Sequence, residues 1–127
     1  MAAYAAPQNY QQNAVLTATP GKLVVMLYDG AGRFLRQAAA AMRDGQLGRS
    51  YTALQRAQAI INELLVTLDL ERGGEIASSL QGLYLFCNRH LIEARTERSP
   101  EKIDEIVALV DELRDAWAQI EASGAGG

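Results

Sequence analysis

Two hydroxyl–proline pairs, Thr19-Pro20 and Ser99-Pro100, do most to limit what this chain can fold into. In each pair the hydroxyl can accept from the free N–H groups of a first helical turn. Proline then sits where no N–H is missed. Gly45 suits a left-handed stop, and Gly73-Gly74 marks a further break. This punctuation predicts one helix from Pro20 to about Asp44 and a second that starts between Gln46 and Ser50 and continues to about Leu70. A third runs from about Glu75 to Glu97, and a fourth from Pro100 to near Glu121. Helices of about 20 residues are about 30 Å long, and turns this short force neighbours to run antiparallel. No segment alternates with period two, so strands are not expected. The fold expected is all-α, an antiparallel four-helix bundle over 19–122. An N-terminal arm, 1–18, packs on the body, and 123–127 form a flexible tail.

The arm is unusual. No Asp, Glu, Lys or Arg precedes Lys22. It is too polar for a membrane, since Gln8, Asn9, Gln11, Gln12 and Asn13 interrupt it, and too apolar for a free tail. It reads as a removable cover lying along the helical body. The alternative is a permanent staple.

The helices differ in how much apolar surface they carry. In the fourth, Ile103, Ile106, Val110, Leu113, Trp117 and Ile120 recur at steps of three and four, one seam of the kind a bundle needs. The first is the reverse. Lys22, Asp29, Arg33, Arg36 and Arg43 share a narrow stripe, and apolar residues cover most of the rest. The second carries Ile60-Ile61 and Leu64-Leu65-Val66, and the third carries Leu83-Tyr84-Leu85-Phe86-Cys87. Helices one to three hold more apolar surface than one small core consumes. Such a surplus marks a partner groove unless the arm and close packing use it up.

Composition removes several function classes. With 127 residues and 49% hydrophobic, the chain can build one real core. A net charge of −3 argues against general nucleic-acid binding, which needs a basic face. A single Cys87 and a single His90 provide no disulfide and no ordinary zinc site. No catalytic constellation or phosphate loop is present, so no enzyme and no cofactor or metal is expected. No run is long enough for membrane insertion. A cytoplasmic setting is expected.

The stretch from Tyr10 to Gly30 carries a resemblance. Tyr10-Gln11-Gln12-Asn13, Thr17-Ala18-Thr19-Pro20-Gly21-Lys22-Leu23 and Met26-Leu27-Tyr28-Asp29-Gly30 resemble the flagellin-specific export chaperones of the FliS family. Ala57 to Leu64, Leu83-Tyr84, Arg89, Leu91 to Ala94 and Leu113 to Trp117 continue it in order. The resemblance implies a cytoplasmic four-helix bundle that binds the C-terminal helical segment of flagellin. It also implies that the chain prevents premature polymerisation and aids delivery to the flagellar type III secretion apparatus. Further partners to weigh are an export-gate component and flagellar regulators, with the chain itself a monomer or weak dimer. The competing reading is a homo-oligomeric scaffold using the same apolar surface.

Candidate cargo-binding residues are Tyr28, Ile60, Ile61, Leu64, Leu65, Leu68, Leu80, Tyr84 and Leu91, in a groove on the second and third helices. About half of those on the second helix should be plain core. Tyr10, Asn13, Val15, Leu16 and Thr17 are the arm residues, the apolar ones to plug the groove and Asn13 and Thr17 to cap backbone groups. Trp117 and Cys87 read as core.

Overall fold

The computed structural model describes residues 18–124. It contains four helices, α1 (Pro20–Arg43), α2 (Leu47–Thr67), α3 (Leu70–Glu97) and α4 (Pro100–Ala122). Each packs on two neighbours, in the order α1–α2–α3–α4 and back to α1. This is the expected bundle. No described helix is long and apolar enough to cross a membrane.

Both hydroxyl–proline pairs work as the sequence suggests. The Thr19 side chain accepts from the Lys22 N–H at 3.2 Å, and the Ser99 side chain accepts from the Lys102 N–H at 3.3 Å. At the other end of α1, Gly45 takes φ +75°. The Gly45 and Gln46 N–H groups then reach back to the Met42 and Ala41 carbonyls, which closes the helix with a Schellman pattern.

The α2–α3 boundary differs from the sequence expectation. α2 stops at Thr67, three residues early, and helix resumes at Leu70, ahead of the glycine pair. The reason is Asp69, whose carboxylate accepts from the Arg72 N–H at 3.0 Å and starts a new turn. That turn meets the long helix at Gly74, where φ +54° and ψ −131° interrupt the helical path. A side chain disfavours this conformation, so Gly74→Ala should cost about 1–3 kcal/mol. Chemical denaturation of the variant measures it.

α1 is held to α4 by a ladder of ion pairs. Asp29 meets Arg114 at 2.8 Å, Arg36 meets Asp111, and Arg43 meets Asp104 at 2.6 Å. Residue numbers rise on one side as they fall on the other, so the two helices are antiparallel. All six side chains are well exposed, and such pairs are worth about 0–1 kcal/mol each. They orient the helices more than they stabilise them.

The core draws on all four helices. Leu35, Leu54, Ile61, Leu91, Ile103 and Ile106 are fully buried. α1 contributes mostly small residues to it: Gly30, Ala31, Gly32, Ala38 and Ala39. Gly30 lets α2 approach closely, since a Cβ there would lie 3.1 Å from Ile60 Cδ1. Ser50 is the buried polar side chain, and its hydroxyl donates to the Ala38 carbonyl at 2.8 Å. Trp117 packs against the core from the α4 seam.

Candidate functional site: an apolar groove between α1 and α2

Because α1 presents its small residues inward and one charged stripe toward α4, its large apolar side chains are left on the remaining side. Leu23, Val24, Met26, Leu27 and Phe34 line one wall of an open groove, and Ile60 of α2 lines the other. Gly30 lies at the floor, and Arg33, Glu63 and Thr67 contribute to the rim. The groove encloses about 630 Å³, a size typical of ligand-binding clefts. Pro20 closes the end where the N-terminal arm joins the bundle.

The sequence reading placed a groove on the second and third helices. The structure puts the apolar concavity one interface away. The hollow between α2 and α3 is smaller, and Gln55, Gln58, Asn62 and Asn88 line it with Ala59 and Ile92. Asn88 Nδ2 donates to Asn62 Oδ1 across it at 2.9 Å. Of the apolar runs of α2 and α3, Ile61, Leu64, Tyr84 and Cys87 turn inward, while Val66, Leu85 and Phe86 remain exposed.

The nine cargo-binding candidates therefore divide. Ile60 lines the α1–α2 groove. Tyr28, Ile61, Leu64, Tyr84 and Leu91 lie in the interior. Leu65, Leu68 and Leu80 are half-buried and pack on the core. The arm candidates Tyr10, Asn13, Val15, Leu16 and Thr17 lie outside the described residues.

Tyr28 and Tyr84 are better understood as a polar link through the core. Their hydroxyls share a hydrogen bond of 2.5 Å between α1 and α3, with ring centroids 6.5 Å apart. Burial raises both phenol pKa values. For Tyr28, hydrogen bonding with Tyr84 and Trp117 opposes that only in part. Cys87 is buried nearby, and burial pushes its thiol up to about 11, which suits an unreactive packing residue. His90 is stacked on Phe86 and sits 2.5 Å from Glu105, tying α3 to α4.

The α1 wall, Leu23, Val24, Met26, Leu27 and Phe34, belongs to the first helix's apolar surplus but was not among the cargo-binding candidates. Its signal was present in the narrow charge stripe of the first helix. Once that stripe is assigned to α4, the surplus apolar face must open elsewhere.

Residues 2–124 match the family described as "Flagellar protein FliS". The chain belongs to the FliS family. A "Flagellar secretion chaperone FliS" of Bacillus subtilis (strain 168) is 40% identical over 110 residues, covering 87% of this chain and 81% of the relative. The protein of the same description from Salmonella typhimurium is 37% identical over 110 residues, covering 86% and 82%. "Flagellar secretion chaperone FliSB" of Pseudomonas aeruginosa is 36% identical over 121 residues, covering 92% and 96%. The match to FliS runs through the arm, the α1 wall and all four helices. An export-chaperone role follows at the level of the family.

Proposed function

We propose that this FliS-family chain binds the C-terminal helical segment of flagellin in the α1–α2 groove. It thereby prevents premature polymerisation and aids delivery to the flagellar type III secretion apparatus. The observation that carries this reading is the groove itself, an apolar furrow walled by Leu23, Met26, Leu27, Phe34 and Ile60. An amphipathic segment can lay its apolar face there, in the helix-in-groove mode. No bond-making chemistry is required. A segment that orders only on binding gives up conformational entropy, so affinity per unit area is modest.

The uncharged arm joins the bundle at the Pro20 end of the groove and covers it until cargo arrives. A cover worth about 1–2 kcal/mol would weaken cargo binding roughly tenfold and make release easier.

Calorimetry with the C-terminal segment of the cognate flagellin tests both parts. One-to-one binding by the full chain is expected, and tighter binding after removal of residues 1–17. Weaker binding by the shortened chain would make the arm part of the site. Absence of binding by either folded protein would overturn the flagellin reading.

A further inference from the structure

A second hollow of about 620 Å³ lies further along the α1–α2 interface, toward the α1–α2 turn. Small residues, Ala40, Ala41, Gly48 and Ala53, line it together with Asp44, Arg49 and Arg56. The Arg56 guanidinium lies 5.8 Å from the centroid of the Phe34 ring, so it stands where the two hollows meet. Arg33 borders the apolar hollow. Arg33, Arg56 and Arg49 thus follow one another along the α1–α2 interface.

These arginines differ from their neighbours in one respect. Arg36, Arg43 and Arg114 are each engaged by a carboxylate across the α1–α4 interface. Arg33, Arg49 and Arg56 have no carboxylate partner among the described residues. Glu63 is the only acid on α2. The arm offers no carboxylate side chain either, because the first Asp or Glu of the sequence is Asp29. Along this interface the three arginines outnumber the two lining carboxylates, Asp44 and Glu63, so a chain of net charge −3 keeps a small excess of positive charge here.

We propose that this furrow selects an occupant with carboxylates. It is an amphipathic helix whose apolar residues fill the Leu23–Phe34 hollow and whose Asp or Glu side chains meet Arg33, Arg56 and Arg49. The inference rests on the flagellin reading above and names the chemistry that its cargo segment brings. Arg49 and Arg56 are seven residues apart on one helical face, about 10.5 Å along the axis. Carboxylates two turns apart on a docked helix match that spacing. Small residues at the base of the second hollow let a helix backbone come close while the arginines reach around it.

The charge also separates cargo from cover. A carboxylate-bearing segment gains from the arginines, and a segment without Asp or Glu, such as residues 1–17, does not. Charge pairing of this kind speeds encounter and weakens as salt rises, whereas apolar covering by an uncharged arm does not weaken in this way.

The test uses the full chain and a synthetic peptide of the cognate flagellin C-terminal segment. A second peptide has every Asp and Glu replaced by Asn and Gln. Binding is measured by calorimetry in dilute and in concentrated sodium chloride. For the native peptide, Kd is expected to rise about tenfold or more with salt. The combined variant Arg33→Gln, Arg49→Gln, Arg56→Gln is expected to bind about tenfold more weakly at low salt and to lose most of that salt response. The amide peptide should bind both proteins alike. Arg89→Gln on α3 should behave as the unaltered chain. Circular dichroism checks the fold, and Arg49→Gln alone, at an exposed position in the first turn of α2, gives the same test in smaller measure. An unaltered salt response in the triple variant, or equal low-salt binding of both peptides, would overturn the proposal and leave the groove reading intact. No binding of either peptide by the unaltered chain would overturn both.

Discussion

Met26→Asp is expected to abolish capture of the flagellin segment while the bundle stays folded. Met26 is 37% exposed and lines the groove, so the folded chain can keep a carboxylate there in water. A docked apolar helix would strip that water away without offering a partner. Burying an unpaired charge of this kind costs enough to lower affinity by at least about a hundredfold. Ile61→Asp, at a residue the sequence reading placed in the groove, should behave in the opposite way. Ile61 is 1% exposed in the core. Removing its side chain and burying a carboxylate should cost about 4–5 kcal/mol or more, a large share of the ~5–15 kcal/mol that holds a domain together. Calorimetry with thermal unfolding separates the two. A well-folded Ile61→Asp, or a Met26→Asp chain that binds normally, would contradict this division between core and groove.

The second large effect concerns alkaline stability. Tyr28, Tyr84 and Cys87 all have pKa values raised by burial. In the unfolded chain these groups ionise near their ordinary values, 10.0 for the phenols and 9.0 for the thiol. The folded chain keeps its protons longer. Their stability contribution is therefore complete below about pH 9 and declines as pH rises toward the folded values. Each group ionised in the unfolded chain but protonated in the folded one lowers stability by about 1.4 kcal/mol per pH unit. Denaturant midpoints at pH 8, 9.5 and 11 should show a plateau followed by a steep fall. Tyr84→Phe should shallow the fall, because one ionisable group is gone. A midpoint that stays level to pH 11 would mean that these side chains are not closed off from water.

Helix ends were legible because capping is local. Thr19, Ser99 and Gly45 each act through atoms a few residues away, and the sequence shows those residues directly. Asp69 belongs to the same class, but the glycine pair behind it was the louder signal, and the early start of α3 was missed. The groove demanded more. That α1 had apolar surface to spare could be read from its composition and charge stripe. Which interface received that surface depended on the ion pairs with α4 and on the close approach at Gly30, both of which join residues far apart in the chain. The same limit applies to Ile60 and Ile61. Adjacent in sequence and equally apolar, they differ by one helical step, and only the neighbours that surround α2 send one to the groove wall and the other to the core.

The ladder between α1 and α4 has signs as well as positions. Its α1 members, Asp29, Arg36 and Arg43, recur every seven residues and read negative, positive, positive, while Arg114, Asp111 and Asp104 give the complement. A slip of two turns in one direction would set Arg36 against Arg114, and in the other Asp29 against Asp111. Each misaligned arrangement contains a like-charge clash that the native one lacks. Pairs too exposed to add much stability can still act as an alignment key. A bundle whose α1 is rich in interchangeable alanine and glycine thus has one setting to return to.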